Sequence, residues 1–321
     1  MKVLLTGGAG FIGSAMLWRL NKAGIKDIIV VDRLGNTEKW KNLIGKFYED
    51  YFEKDKFLDV LESGKLDRKI DLVIHLGACT STTEQDATYM MENNYVYSKR
   101  VAEWALKNKK RFLYASSAAT YGSGKEGYSD SDEVTPRLKP LNIYGYSKHA
   151  FDLWVLKNNL QKEFVGFKFF NVYGPNENHK LDMRSMVNKG YQQIKSTGKM
   201  LLFKSHKPEY KDGEQKRDFV YVKDAIEVIN FFLDHPDEKG IYNLGTGTAQ
   251  TWNDLSNALF GALGLKPKIE YFDMPETLRG KYQYFTQARL EKLGAICSHK
   301  FLSLNDAVKD YVSYLESGTY L

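Results

Sequence analysis

Tyr144 and Lys148 stand four residues apart in Asn142-Ile-Tyr-Gly-Tyr-Ser-Lys-His149. On a helix this spacing puts both side chains on one face. A lysine ammonium beside a phenol favours the phenolate, and a phenolate can take the proton of an alcohol. The spacing alone is weak, because Tyr-x-x-x-Lys occurs at 95/99, 121/125, 144/148 and 191/195. Context selects the third pair. The apolar run Arg111-Phe-Leu-Tyr-Ala115 reads as a strand and leads into Ser116-Ser117. Ser117 would then stand at the carboxyl edge of a sheet, where α/β proteins bind their ligands. The other three tyrosines read as surface or packing positions.

A second constellation opens the chain, in Lys2-Val-Leu-Leu-Thr-Gly-Gly-Ala-Gly-Phe-Ile-Gly13. A short buried strand, glycines at 7, 10 and 13, and helical apolar periodicity from Ser14 to Leu20 follow one another. Strand, glycine turn and helix place backbone N–H groups and a helix N-terminus against a pyrophosphate. Glycine serves where the turn takes positive φ, or where a Cβ would block the phosphate or the helix–strand contact. The next strand, Ile28-Ile-Val-Val31, ends in Asp32, 19 residues beyond Gly13, where an acidic ribose ligand belongs. A bound dinucleotide also suits the tyrosine, since the positive nicotinamide ring of an oxidised cofactor favours the phenolate as the lysine does.

The elements that must position these groups alternate as strand and helix through the first half, which predicts a parallel sheet with helices on both faces, a Rossmann-type doubly wound α/β fold. After a polar loop at Leu34–Lys41 and a mixed segment to Lys69, Ile70–Gly77 reads as a buried strand and Ala78–Asp86 as a loop. Tyr89–Lys107 reads as one long helix, Gly122–Pro140 as turns, Tyr144–Lys157 as a helix and Phe164–Phe170 as a strand. Beyond Pro175 the pattern loosens, and only Asp218–Val222 with its following helix and Gly240–Gly245 look regular. We expect a dinucleotide-binding domain over 1–170 and a smaller mixed α/β substrate lobe over 171–321, with 217–235 packing back on the first sheet.

Composition narrows the class. At 321 residues the chain can bury a large core, and 43% hydrophobic with 27% charged residues is ordinary globular material. The net charge of +6 comes without a run of like charges, so it suits anionic small molecules rather than nucleic acid. No stretch approaches the ~20 apolar residues of a membrane span. Gly7 cuts the apolar start too early for a signal peptide. Cys79 and Cys297 have no partners at metal-ligand spacing, so no metal site is expected, and a reducing cytoplasm is the simplest home.

Thr6–Gly13, Ser117, Tyr144/Lys148, Arg217-Asp-Phe-Val-Tyr-Val-Lys-Asp224 and Tyr242-Asn-Leu-Gly-Thr-Gly247 together resemble the extended short-chain dehydrogenase/reductase superfamily, over nearly the whole chain. Gly77-Ala-Cys-Thr-Ser-Thr-Thr-Glu84, Tyr89-Met-Met-Glu-Asn-Asn-Tyr95, Phe169-Phe-Asn-Val-Tyr-Gly-Pro175 with His179-Lys180, and Tyr282-Gln-Tyr-Phe-Thr-Gln287 resemble, more narrowly, the ADP-L-glycero-D-manno-heptose 6-epimerase family.

That resemblance implies inversion of C6 in an ADP-heptose, for the heptose supply of the lipopolysaccharide core. A carbon with no adjacent carbonyl cannot simply lose a proton, so a held nicotinamide must take hydride, giving a 6-ketone, and return it to the other face. Proton transfers on both sides ask for two acid/base groups. By resemblance these are Tyr144 and Lys180, with Ser117 on the oxygen and Lys148 beside the tyrosine; from the sequence alone Lys180 is a solvated loop lysine. The cofactor set carried over is Gly7, Gly10, Phe11, Ile12, Gly13, Asp32, Arg33, Lys39, Lys54, Leu76, Gly77, Ala78, Cys79, Thr80, Asn93, Tyr144, Lys148 and Val172. The substrate set is Ser117, Asn171, Lys180, Asp182, Lys189, Phe203, Arg217 and Tyr282; an arginine suits a diphosphate because its fork binds bidentately. The family also implies a homo-oligomer.

Cofactor choice turns on one loop. Asp32 alone favours NAD, since a carboxylate accepts from both ribose hydroxyls and repels a 2′-phosphate. Arg33, Lys39 and Lys54 surround it with three cations, which predicts NADP, with NAD as the alternative in which Arg33 stacks on adenine. Asp182 and Lys189 replace a small hydroxyl residue and a histidine of the family, and Lys204–Lys216 is longer and more charged than in its members. These departures bear on the sugar or nucleotide, not on the chemistry. Among rivals, a 4,6-dehydratase would carry Asp-Glu after the active-site hydroxyl, where this chain has Ala118-Ala119. A 4-epimerase would leave Lys180 without a use. A cofactor-binding scaffold protein need not keep Ser117, Tyr144 and Lys148, although fold alone does not fix function.

Overall fold

The strands Val3–Thr6 (β1), Ile28–Asp32 (β2) and Leu72–His75 (β4) are buried from end to end, as parallel strands covered on both faces must be. In the computed structural model, which describes residues 1–280 and 282–321 with Thr277 by its backbone alone, they form the middle of a seven-stranded sheet. Asp50–Glu53 (β3), Arg111–Ser117 (β5), Val165–Phe169 (β6) and Gly240–Leu244 (β10) complete it, in the order β10-β6-β5-β4-β1-β2-β3. Every pairing in the sheet is parallel. This is the doubly wound Rossmann-type sheet that the alternation of elements predicts.

Helices Phe11–Lys22 (α1), Lys54–Glu62 (α2), Ala87–Met91 (α3), Tyr97–Lys107 (α4) and Ile143–Lys157 (α5) connect the strands. Ala87–Lys107 is continuous helix, as expected from residue 89 on, with a π-turn at Glu92–Val96 that the periodicity does not announce. Two elements between 41 and 69 escape the sequence reading. β3 is a half-exposed edge strand with an acid at each end, so it presents no apolar run. α2 buries only Phe57 and Leu61.

The second half adds Asn171–Tyr173 (β7), Met186–Thr197 (α6), Met200–Phe203 (β8), Lys216–Tyr221 (β9), Val222–Asp234 (α7), Ala249–Thr251 (β11), Trp252–Ala262 (α8), Ile269–Phe272 (β12), the short helices Glu276–Arg279 (α9) and Glu291–Gly294 (α10), and Leu304–Ser317 (α11). β11-β9-β7 and β12-β8 form two small sheets. The central sheet draws its edge strand β10 from beyond residue 170, and α7 lies along α1. One apolar core therefore runs from α1 through α7 to α6, α8 and α11.

The strand order reverses at β1, with β4 on one side and β2 on the other. Ligands of such sheets bind beyond the carboxyl ends at this switch point. Thr6, the last residue of β1, pairs there with Val31 and His75.

Candidate active site

The glycine turn follows β1 directly. Gly7 takes φ +73°, and a Cβ on it would lie 2.6 Å from the Gly77 nitrogen. A Cβ on Gly13 would lie 2.0 Å from the Gly7 carbonyl oxygen, so the third glycine is set by the approach of α1 to the turn. No side chain caps α1 at Gly10, which leaves its first amides for another acceptor.

A cavity opens over this turn, lined by Thr6, Gly7, Val31, Asp32, Arg33, Lys39, Lys54, Gly77, Ala78, Cys79, Tyr89, Asn93 and Tyr97. Main-chain amides, three cations and aromatic rings are a donor set that fits a dinucleotide's phosphates, ribose and base. Leu76 closes the turn from behind, its amide donating to the Thr6 carbonyl. Thr6 and Tyr89 stand in the motifs at 6–13 and 89–95 without a site role read for them, and Tyr97 in neither; a hydroxyl on the last strand residue before the glycines is the one signal available for Thr6.

Asp32 ends β2 and lines this cavity. One carboxylate oxygen accepts from the amides of Ala9 (2.9 Å) and Gly10 (3.0 Å); the other accepts from the Arg33 amide (2.7 Å) and the Lys39 ammonium (2.8 Å). One oxygen thus fastens the glycine turn, while the other is held by the next residue's amide and by Lys39. Lys54 donates to Asn93 Oδ1 at 2.5 Å, while Arg33 is exposed.

A second cavity adjoins at the glycine helix and contains Phe11, Ile12, Thr80, Ser117, Tyr144, Asn171, Val172 and Lys180. The structure thus brings the catalytic candidates Ser117, Tyr144 and Lys180 together. Ser117 ends β5, Tyr144 lies in the first turn of α5, capped by Asn142, and Lys180 comes from the 3₁₀ turn Asn178–Met183. Arg184 and Trp252 also line this cavity, without any motif to reveal them, and so does Phe219 from the motif at 217–224.

Lys148, one turn along α5 from Tyr144, is buried and donates to the Ala115 carbonyl at 2.9 Å. Burial raises the Tyr144 phenol, and the hydrogen bond that opposes the rise comes from Ser117. Burial also lowers Lys148 to about 8, against the pull of Asp152.

Lys180 is half-buried, not solvated, with its ammonium 5.4 Å from the Phe11 ring centre. Burial lowers its pKa, opposed by Glu177. Leu181, next in the chain, holds φ 48° and ψ −119°, a conformation that disfavours a side chain.

The remaining substrate candidates divide. Arg217 is 6% exposed, with its guanidinium 5.0 Å from the Tyr282 ring centre and 5.7 Å from that of Trp252. Trp252 Nε1 donates to the Tyr282 hydroxyl at 2.8 Å, and Phe203 packs edge-on to Tyr282. Asp182 is exposed, and Lys189 donates to its carbonyl oxygen, so these two contact each other; like Phe203, Arg217 and Tyr282 they are not in the lining of either cavity.

With this geometry in hand, residues 3–245 match the family model described as NAD dependent epimerase/dehydratase family. This chain belongs to that family. It is 54% identical over 310 residues, 96% of each chain, to the ADP-L-glycero-D-manno-heptose-6-epimerase of Nitratidesulfovibrio vulgaris strain DP4. It is 47% identical to the protein of the same name from Fusobacterium nucleatum, over 97% of this chain and 96% of that one. The crystal structure of the Helicobacter pylori ADP-L-glycero-D-manno-heptose-6-epimerase superposes with a TM-score of 0.83 at 29% identity, covering 98% of this chain and 96% of that one. The enzyme is therefore an isomerase of the epimerase kind, and its family depends on a nicotinamide dinucleotide. Among the described residues no helix is long and apolar enough to cross a membrane.

Proposed function

We propose that this epimerase inverts C6 of ADP-D-glycero-D-manno-heptose to the L-glycero form with a retained NADP, and so supplies heptose for the lipopolysaccharide core. The observation that carries the reading is that two separate acid/base groups, Tyr144 and Lys180, line one cavity with Ser117 and Asn171. The nicotinamide dinucleotide, when bound, supplies reversible hydride uptake at C6; the turn at Gly7–Gly13 and the residues around Asn93 and Lys54 would hold it.

The chain's own groups handle the protons and the fit. Ser117 holds the C6 oxygen and steadies the phenolate of Tyr144, which takes the hydroxyl proton. Lys180, drawn toward neutrality by burial, gives and takes the proton on the other face. Arg217, beside Trp252 and Tyr282, offers its positive charge to the diphosphate, with its two terminal nitrogens also donating to the Lys216 and Gln283 carbonyls. A 4-epimerase reading would leave Lys180 without a role.

NADP is favoured over NAD by the charge that remains. Lys39 neutralises Asp32, and Arg33 and Lys54, the latter 3.4 Å from the exposed Asp55 carboxylate, line the same cavity as cations. A cytoplasmic homo-oligomer belongs to the same reading, and light scattering on purified protein would check the assembly. The deciding experiment is incubation with ADP-D-glycero-D-manno-heptose, following C6 configuration by NMR. Inversion is expected; an unchanged sugar in cofactor-loaded protein would overturn the assignment.

A further inference from the structure

Behind the active site lies an ion pair with no exposure at all. Lys168 on β6 and Asp152 on α5 are each 0% exposed, with Nζ and Oδ2 2.6 Å apart. Asp152 Oδ2 also accepts from the Ser116 hydroxyl at 2.7 Å, and Oδ1 accepts from the Tyr114 hydroxyl at 3.1 Å. Lys168 donates to Thr120 Oγ1 at 3.0 Å, and that hydroxyl donates to the Ser117 carbonyl at 2.8 Å. The Tyr121 ring centre lies 5.3 Å from the ammonium.

A pair so deeply buried is a poor stability device, because desolvating both charges offsets most of their attraction. Its geometry suggests another use. Tyr144, Lys148 and Asp152 fall at i, i+4 and i+8 on α5, hence on one helix face. That face meets three successive residues at the end of β5: Lys148 on the Ala115 carbonyl, Asp152 on the Ser116 hydroxyl, and Tyr144 against Ser117. β6 delivers Lys168 opposite Ser116 in register, and Lys168 holds the turn that follows Ser117 through Thr120.

We propose that Asp152 and Lys168 are positioning residues, which lock α5 to the end of β5 and so fix Ser117, Tyr144 and Lys148 relative to one another. They also set the field at Lys148. Facing that ammonium are Asp152 on its own helix and His75 on β4; Tyr114 on β5, Tyr121, His149 and Lys168 stand around Asp152. Asp152 alone would hold the Lys148 proton, and Lys168 tempers that hold.

The kinetic part of the test rests on the proposed function; the spectroscopic part does not. Protein labelled with ¹³C at lysine Cε is titrated by NMR, with Lys148→Met assigning the resonance. Asp152→Asn should lower the Lys148 midpoint and Lys168→Met should raise it, each by about one pH unit. A packing role would not give opposite signs. Asp152→Asn/Lys168→Met removes both charges with little change of shape, and should melt close to wild type. Its kcat should fall about ten- to a hundredfold, as displaced catalytic groups do, at nearly unchanged KM. Unmoved Lys148 midpoints with kcat within twofold of wild type would overturn the proposal. So would loss of the fold in the double variant, which would make the pair a stability element. If the midpoints move as stated but wild type leaves the heptose unchanged, the functional reading fails and this one stands.

Discussion

Lys39 reaches Asp32 across the dinucleotide cavity, its ammonium 2.8 Å from a carboxylate oxygen whose partner oxygen is bound to the glycine-turn amides of Ala9 and Gly10. The contact turns an acidic signature into a neutral one. A carboxylate in this position ordinarily repels a 2′-phosphate, but here it anchors the turn and its charge is matched. The electrostatic question then passes to Arg33 and Lys54.

Mass spectrometry of the nucleotide released from denatured wild-type protein should therefore show NADP. Arg33→Ala and Lys54→Met should each weaken NADP, by about 1.5–3 kcal/mol for loss of one charge-assisted hydrogen bond, while NAD affinity changes little. NAD in the wild type, with both variants unaffected, would mean that these cations are merely solvated.

Tyr144→Phe removes one hydroxyl from a half-buried ring and should leave folding and cofactor content intact. Turnover should drop by roughly 10²–10⁴, the range for an acid–base group. Epimerisation near the wild-type rate would remove Tyr144 from the reaction.

Lys180→Met keeps the length of the stem beside Phe11 and deletes the ammonium. Since Lys180 is half-buried in the cavity wall, kcat should fall by a comparable factor with cofactor retained. Little change in kcat would return it to the status of a loop lysine that happens to face the cavity.

Strand-rich and motif-bearing parts of the fold were legible because β1, β2 and β4 carry apolar runs and, like β6 despite its Lys168, bury every residue. β3 and α2 were not, because an edge strand and a half-exposed helix share their polar face with solvent. The same contrast holds at the site. Gly7, Gly13 and Ser117 announce themselves by spacing and by place in a strand–turn pattern. Trp252 and Arg184 reach the cavity only through tertiary packing, which leaves no local mark. Asp32 and its cationic neighbour Lys39 are legible by position, whereas the hydrogen bonds from the Ala9 and Gly10 amides emerge only in three dimensions.

Leu181 offers a test of strain next to Lys180. Its φ of 48° with ψ −119° favours glycine, and its side chain is 69% exposed, so little burial is at stake. Relief of about 1–3 kcal/mol of backbone strain exceeds the ~0.5–1 kcal/mol entropy cost of glycine. Leu181→Gly should thus melt slightly above wild type, with kcat reduced as Lys180 gains freedom. A lower melting temperature would show that the surroundings accommodate leucine there without strain.

The last prediction concerns acid stability and follows from a directional chain of hydrogen bonds. The Ser98 hydroxyl donates to the Asn94 carbonyl at 2.6 Å, so it can only accept from His75 Nε2 at 2.8 Å. That assigns the proton of the imidazole to Nε2 and leaves Nδ1 to accept from Thr6 Oγ1 at 2.7 Å, which in turn accepts from the Gly77 amide. A proton on Nδ1 would oppose Thr6 and break the chain that ties the glycine turn to the π-turn. Burial, with Lys148 nearby, accordingly lowers His75 to about 3 from 6.5. Between these values the unfolded chain binds a proton that the folded one refuses, so stability rises with pH in this window and is lost as pH falls below 6.5. The loss approaches 1.4 kcal/mol per pH unit at its steepest. His179, lowered to about 4 by burial, adds in the same direction. Melting temperatures at pH 7, 6, 5 and 4.5 should therefore decline progressively, and His75→Gln, although less stable at pH 7, should decline less. Equal slopes in the two proteins would show that His75 does not carry the acid sensitivity.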